Sequence, residues 1–345
     1  IWRHRLGDAS KGHDGSDDGP LSSPAIGGDR VHVLTPEGGL ATLRLGDGEV
    51  VWEKRIDQAF GAKPPHFGFG TSPLVDGDVL VVQAGGEDGK SIVGVSARTG
   101  ETVWSHGDDS VNYQSPAMMT LADRSQIVAA SGKKITGLAV DDGEVLWVHE
   151  LGEDEQTRST TPTFVGDDRF LISIGGDAVV YRVSKSKKGF DVAELYRSKA
   201  QGQSYAPPVH HEGHVYGFRG QILTCMDASS GERVWRSRPP GGDGLILVDG
   251  HLVIWGSKGN VVVAAASPKG YDERARLQAL DGSSLTWPAF ADGRIYVRNL
   301  SEMAAVGVTV GERAARAGTD VKADHQFGRW VAKVEASDDR DAMVD

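Results

Sequence analysis

The sequence predicts an all-β protein, a seven-bladed β-propeller in which each blade is a four-stranded antiparallel sheet. Three observations predict it. The pattern Gly-Glu-x-x-Trp occurs four times, a marker that ends in proline recurs every 43 to 49 residues with one double interval of 80, and turn signals rich in Gly and Asp divide each interval into short apolar segments. Four short strands in a repeat of about 42 residues are typical of a propeller blade.

The Gly-Glu-x-x-Trp segments predict the fourth, outer strand of a blade. They cover residues 48–52, 100–104, 143–147 and 231–235. Their glycine suits a tight turn, because Gly adopts positive φ without steric cost. A residue that recurs once per repeat serves what every repeat needs, so the indoles are expected to pack between neighbouring blades, each burying about 150–250 Å². The alternative is a stacking platform for a cofactor or a sugar. The residues expected to dock one blade on the next are Trp2, Trp52, Trp104, Trp147 and Trp235.

The proline marker predicts the start of the first, inner strand. A small or polar pair precedes each proline, and the prolines are Pro24, Pro73, Pro116, Pro162, Pro208 and Pro288. A turn and a second apolar strand follow each marker, as at Asp76-Gly77 before residues 79–82. Serines before proline could suggest nucleophiles, but the chain has no Gly-x-Ser-x-Gly motif, and turn chemistry explains their repetition.

Seven units result, at about 22–56, 70–107, 113–151, 159–199, 204–240, 243–280 and 284–310. The seventh stops after three strands. Residues 1–6 (Ile-Trp-Arg-His-Arg-Leu) match residues 51–56 (Val-Trp-Glu-Lys-Arg-Ile), so the N-terminal strand is expected to complete the last blade and remove an open edge. Eight blades, the alternative, would need one more proline marker. The propeller is thus assigned to 1–310. Residues 311–345 are assigned to a linker or the start of a further C-terminal domain, with a helix start near Ser337.

Composition narrows the function classes. The net charge of −11 disfavours binding to nucleic acid, which needs clustered Lys and Arg. No apolar run reaches the roughly 20 residues of a membrane helix. The single cysteine, Cys225, cannot form an internal disulfide. Because the sequence opens on Ile1 and not on Met, a signal segment is expected to precede it.

Residues 227–235 read Asp-Ala-Ser-Ser-Gly-Glu-Arg-Val-Trp, and this pattern resembles the pyrroloquinoline-quinone-type β-propeller repeat. The resemblance covers about 1–310. It implies one of two branches: quinone-dependent dehydrogenases, or non-catalytic propellers such as the lipoprotein of the outer-membrane barrel-assembly machine. The dehydrogenases carry a disulfide of adjacent cysteines and a calcium site. A lone Cys225 departs from that pattern, so the resemblance implies the non-enzymatic branch, without a cofactor.

A binding site is expected where residues just before the proline markers converge on one mouth of the central channel. The non-repeating side chains there, with two arginines from the ends of second strands, are Tyr113, Gln114, Arg158, Gln203, Tyr205, Trp287, Arg219 and Arg298. The alternative is that they only fill or solvate the funnel. The histidines of residues 210–214 suit a solvated turn better than a metal site, and no metal site is expected. The insertion 59–69 carries Phe67 and Phe69, which either overhang one face or pack on a blade.

The sequence therefore predicts a non-catalytic binding or scaffolding propeller, monomeric and extracytoplasmic (periplasmic or secreted). It would bind a protein partner or present a substrate to a fused C-terminal domain. The competing class is an enzyme, either a degenerate quinone-dependent dehydrogenase or a carbohydrate-active propeller that uses the funnel.

Overall fold

Seven four-stranded antiparallel sheets follow one another along the chain, which confirms the predicted seven-bladed propeller. The structure is a computed structural model and describes residues 2–7, 10–12, 19–157, 159–202, 204–242, 244–282, 286–309 and 326–333. In these ranges one short helix, Ile56–Phe60 (α1), interrupts the strands. No helix in the described part of the chain is long and apolar enough to cross a membrane.

Each sheet is built from four strands consecutive in sequence. The first three sheets contain β1–β4 (Ala25–Gly27, Arg30–Leu34, Gly39–Arg44, Val50–Arg55), β5–β8 (Leu74–Asp76, Val79–Gln83, Ile92–Ser96, Thr102–His106) and β9–β12 (Ala117–Leu121, Arg124–Ala130, Lys134–Leu138, Val145–Glu150). The fourth and fifth contain β13–β16 (Thr163–Phe164, Arg169–Ile174, Asp177–Ser186, Gly189–Ser198) and β17–β20 (Val209–His211, His214–Arg219, Ile222–Asp227, Arg233–Ser237). The sixth and seventh contain β21–β24 (Gly244–Val248, His251–Trp255, Asn260–Ala265, Glu273–Gln278) and β25–β28 (Ala289–Ala291, Arg294–Arg298, Glu302–Thr309, Gln326–Lys333).

The antiparallel order gives every sheet two ends. The proline markers and the links between sheets lie at one end, which we call the marker face. The turns that join the first strand to the second, and the third to the fourth, lie at the other end, which we call the hairpin face. The short first strands are innermost, as the contacts of β1 with β5 and of β17 with β13 and β21 indicate.

Apolar side chains join the sheets. Six buried clusters each combine residues of two successive sheets, from the first and second to the sixth and seventh. A seventh cluster lies on the other side of the first sheet, where Leu6 packs against Val31, Ala41 and Leu43. The core is therefore a series of sheet-to-sheet layers, as expected for a repeat protein whose units bury their faces against neighbours.

The source of the last strand differs from the prediction. Gln326–Lys333 pairs with Glu302–Thr309 over eight residues and completes the seventh sheet, so the assignment of residues 1–6 to this position is wrong. This strand lies in the range assigned to a linker or a further domain. A strand that follows β27 closes a loop of 16 residues, whereas the N-terminal strand would close one of about 300. The difference in loop entropy favours the nearer strand by about 2–3 kcal/mol. The predicted helix start near Ser337 lies outside the described residues.

Candidate functional site

The repeated aromatic residues join the sheets that carry them to the next sheet. Their donor groups bind backbone carbonyls of the following sheet: the indole Nε1 of Trp52 donates to Ala97 O at 3.0 Å, and that of Trp104 donates to Val140 O at 2.8 Å. Trp235 donates in the same way to Ser267 O at 2.9 Å. In the fourth sheet Tyr196 takes the place of the indole and donates its hydroxyl to Ala228 O at 2.8 Å. Each bond satisfies the polar atom of a large side chain that packs between sheets.

Two predicted docking residues depart from this pattern. Trp147 donates to Gln126 Oε1 of its own sheet at 2.6 Å and stacks on Phe170 of the next sheet, with ring centroids 5.8 Å apart. Trp2 does not belong to a strand, yet its Nε1 donates to Leu45 O at 2.8 Å in the first sheet. Trp2 thus occupies the joint at which the outer-strand aromatic residue of a preceding sheet would lie.

The glycine of Gly-Glu-x-x-Trp forms the other half of this joint. A Cβ atom at Gly143 would lie 2.6 Å from the ring of Trp104, and one at Gly100 would lie 2.8 Å from the ring of Trp52. Gly231 faces Tyr196 in the same way, at 2.5 Å. The glycines also have positive φ, but the ring contact is a second and independent reason for them, because no real Cβ fits at these distances.

The hydroxyl residues before the prolines of the first four sheets connect the inner strands. The backbone N–H of Ser23 donates to Ser72 Oγ at 2.9 Å, and that of Ser72 donates to Ser115 Oγ at 2.9 Å. The N–H of Ser115 donates to Thr161 Oγ1 at 3.2 Å. The first four sheets are therefore connected at the marker face by a chain of hydrogen bonds. The serines have a structural role, and the turn interpretation of the sequence was incomplete.

The chain of hydroxyls ends at the fifth sheet, where the marker reads Ala206-Pro207-Pro208 and offers no hydroxyl. Two of the predicted site residues lie in markers beyond this break and are exposed: Tyr205 with 66 % of its surface and Trp287 with 44 %. Trp287 lies against the sixth sheet, because a Cβ at Gly244 would come within 2.8 Å of its ring. The marker face is thus regular over sheets one to four and carries exposed aromatic rings over sheets five to seven.

A small void lies beside this break. It has a volume of about 10 Å³, enough for about one water molecule, and Thr160, Gln201 and Ala206 contribute to its lining. Thr160 Oγ1 and Gln201 Oε1 have no hydrogen-bond partner among the described residues, although Gln201 Nε2 donates to Val215 O at 2.8 Å. The side chains of Thr160 and Gln201 are buried, with 3 % and 1 % of their surface exposed. The sequence did not single them out, because nothing in a lone Thr or Gln indicates an unpaired acceptor.

The other predicted site residues have structural surroundings. Tyr113 accepts a hydrogen bond at its hydroxyl from the N–H of Phe67 at 3.1 Å and contacts its ring, and Gln114 is fully buried. Phe69 is also buried, so the insertion 59–69 packs on the propeller. Arg219 donates to Gln201 O at 3.1 Å and to Gly176 O at 3.3 Å. Arg298 is half-buried at the end of β26, while Arg158 and Gln203 lie outside the described residues.

Two titratable side chains, His32 and Cys225, are fully buried in different sheets. His32 is fully buried, its Nδ1 lies 2.7 Å from Thr42 Oγ1, and burial together with Arg30 lowers its pKa to about 4. Burial raises the pKa of the Cys225 thiol to about 11. The histidines of residues 210–214 lie on the β17–β18 hairpin. Within the described ranges no group of three or more His, Cys, Asp or Glu could hold a metal ion.

Comparisons with known proteins agree with this architecture. The chain resembles the structure of BamB from Moraxella catarrhalis with a TM-score of 0.61 and 17 % identity, over 81 % of this chain and 80 % of that one. It also resembles a quinohemoprotein alcohol dehydrogenase from Pseudomonas putida with a TM-score of 0.53 and 10 % identity, over 82 % of this chain and 62 % of that one. These identities establish a shared fold alone. No curated protein matches the chain. A family model described as "Outer membrane protein assembly factor BamB" matches residues 1–237, and the chain therefore belongs to this family of pyrroloquinoline-quinone-type propellers.

Proposed function

We propose that this protein is a non-catalytic binding scaffold that holds a protein partner at the marker face, over sheets five to seven. The observation that carries the proposal is the pair of exposed rings, Tyr205 and Trp287, at the marker face of a repeat whose outer-strand rings pack between sheets. Tyr and Trp dominate protein–protein contacts, because they combine a large apolar area with a polar group. A specific partner would be recognised at positions where one unit carries a side chain that differs from its equivalents in the other units.

The neighbouring void supports the same location. Thr160 Oγ1 and Gln201 Oε1 are buried acceptors without partners in the described structure, and buried polar atoms usually have partners. A water molecule in the void would satisfy them. The proposed contact thus centres on the two aromatic rings next to the break in the hydroxyl chain, on a rigid ring of sheets.

The family description supplies the partner class. We propose that the partner is a protein of outer-membrane protein assembly and that the scaffold acts outside the cytoplasm. A photo-crosslinking amino acid at position 205 or 287 in cells is then expected to capture the same protein. Val234, 43 % exposed on an outer strand, is the matched control position. Equal capture of that protein from position 234 would contradict the proposal.

Purified components give the quantitative test. Tyr205→Ala is expected to weaken the affinity for the captured partner about 30-fold, the effect of losing a hot spot of about 2 kcal/mol, while Val234→Ala leaves it unchanged. Both side chains are exposed, so both variants are expected to fold. An unchanged dissociation constant for Tyr205→Ala would locate the interface elsewhere.

The enzyme alternative is tested separately. Dye-linked alcohol oxidation after addition of pyrroloquinoline quinone and calcium would overturn the non-catalytic assignment. The Pseudomonas neighbour is named as such a dehydrogenase, but at 10 % identity the likeness concerns the fold. Cys225 is fully buried and is the only cysteine, which argues against the adjacent-cysteine disulfide that the resemblance associates with that branch.

A further inference from the structure

Among the hairpins that the structure describes in full, one projects beyond the others. Strands β15 and β16 each have ten residues, whereas the third and fourth strands of the other sheets have five to eight. In the first sheet the third strand continues two residues past Thr42, which pairs with Trp52. In the fourth sheet it continues six residues past the equivalent Val180, to Ser186. The four additional residues lengthen the hairpin by about 13 Å at the hairpin face.

The base of this hairpin is fixed to the body. Val183 is buried, and Phe190 and Val192 pack against the cluster between the third and fourth sheets. Lys185 Nζ lies 2.9 Å from Asp123 Oδ2, which belongs to the first turn of the third sheet. An exposed ion pair of this kind stabilises little by itself, but with the apolar contacts it defines one direction for the hairpin.

The tip is basic on a protein that is acidic overall. Arg182, Lys185, Lys187 and Lys188 are all exposed on the hairpin, with Asp191 as the one exposed carboxylate among residues 182–191, against a net charge of −11 for the whole chain. Among the described residues no carboxylate pairs with Arg182, Lys187 or Lys188. The turns set back on the same face are acidic and exposed, and they include Asp123, Asp167, Glu212 and Asp249. Three basic side chains without a carboxylate partner, Arg182, Lys187 and Lys188, therefore lie on the element that extends furthest from this face in the described part of the chain.

This arrangement suits a flat anionic surface. The projection of about 13 Å exceeds the Debye length of about 8 Å at physiological ionic strength, so the repulsion of the set-back carboxylates is screened when the tip makes contact. A stable protein interface needs about 20–30 residues on each side, which a hairpin tip does not provide. Attraction to anionic lipid needs only charge near the surface. We propose that the tip of the β15–β16 hairpin docks on the phosphate head groups of an anionic lipid bilayer.

Such a contact would orient the propeller and would not anchor it. Each lysine near an anionic bilayer raises the affinity about fivefold, so Lys187 and Lys188 together contribute about 25-fold. The marker face, with Tyr205 and Trp287, would then point away from the lipid. The inference does not depend on the proposed function, since it concerns the opposite face and a different ligand.

The test is sedimentation of the full chain with sucrose-loaded vesicles at millimolar lipid and low salt. Binding is expected to vesicles of equal parts phosphatidylglycerol and phosphatidylcholine, and not to pure phosphatidylcholine. The Lys187→Gln/Lys188→Gln variant is expected to bind about 25-fold more weakly. The matched control is Lys258→Gln/Lys269→Gln, which changes the net charge equally at exposed positions of the sixth sheet and is expected to bind like the wild type. Equal far-ultraviolet circular dichroism and melting temperature would show that all variants fold.

Three outcomes would overturn the inference. The first is that the wild-type protein does not bind vesicles containing phosphatidylglycerol. The second is that the two double variants lose the same affinity for these vesicles. The third is that polyglutamate competes for the protein more strongly than vesicles of the same total charge. The last result would assign the hairpin to an acidic protein. Inorganic phosphate, added at constant ionic strength, distinguishes lipid head groups from free phosphate as the ligand of the hairpin. It is expected to leave vesicle binding unchanged. If phosphate displaced the protein from the vesicles, the hairpin would be a site for the free ion.

Discussion

Acidification is expected to destabilise the protein through His32. The imidazole is fully buried in the first sheet, its Nδ1 lies 2.7 Å from Thr42 Oγ1, and its Nε2 has no hydrogen-bond partner among the described residues. Its pKa is about 4 in the folded state, against 6.5 for a free histidine. Between these values the unfolded chain binds a proton that the folded chain does not. Stability is therefore lost as the pH falls from about 7.5 to 4.

The size of the loss follows from the two pKa values. Relative to pH 8, the free energy of unfolding falls by about 2 kcal/mol at pH 5 and by about 3 kcal/mol at pH 4 and below. The carboxylates of the protein also titrate in this range, so the wild type alone does not isolate the histidine. The His32→Asn variant keeps a polar partner for Thr42 Oγ1 and removes the titrating group.

Urea unfolding, followed by tryptophan fluorescence at pH 8 and pH 5, measures how much the free energy of unfolding of each protein changes between the two pH values. The wild type is expected to lose about 2 kcal/mol more than His32→Asn between the two pH values, whatever the stability of the variant at pH 8. Equal losses in the two proteins would show that His32 is protonated in the folded state or that its surroundings admit water. Either result would refute the argument from burial.

Three further predictions concern the packing. Gly143→Ala is expected to destabilise by about 3 kcal/mol, because its Cβ would meet the ring of Trp104, whereas Gly213→Ala, with similar positive φ and open space, is expected to cost about 1 kcal/mol; equal urea midpoints would exclude the ring contact. Ser72→Ala removes one hydroxyl acceptor of the inner chain of hydrogen bonds and is expected to cost about 1 kcal/mol in the same assay. The buried thiol of Cys225 is expected to react with a disulfide reagent only in denaturant; fast reaction in buffer would contradict its burial.

The repeats carried most of the fold prediction, because each strand is bounded by its own turn residues. The predicted strand 79–82, for example, agrees with Val79–Gln83 within one residue. The last strand was misassigned because two segments, at Trp2 and at Trp330, carry a suitable tryptophan. A local pattern cannot decide between strands that differ in the length of the loop they close.

The candidate site was less predictable. The markers converge on one face because of the fold, so this convergence could be inferred from the repeats. It was the reason for predicting Tyr205 and Trp287 as site residues. Which marker residues are exposed depends on what the neighbouring segments place over them: the insertion packs on Tyr113, whereas Trp287 lies against Gly244 and keeps 44 % of its surface exposed. Such contacts come from distant parts of the chain. The unpaired acceptors of Thr160 and Gln201 are likewise invisible until the two sheets meet.

The joint between an aromatic ring and a glycine bears on how this architecture changes in evolution. The first, second, third and fifth units each present a ring on the outer strand and a glycine that seats a preceding ring, so units of this kind fit next to one another. Duplicating or deleting such a unit leaves the remaining junctions intact, and the replacement of indole by the phenol of Tyr196 indicates that a junction tolerates a smaller ring when the hydrogen bond is kept. The number of units in the circle can therefore drift among descendants, while the chemistry that holds neighbours together does not.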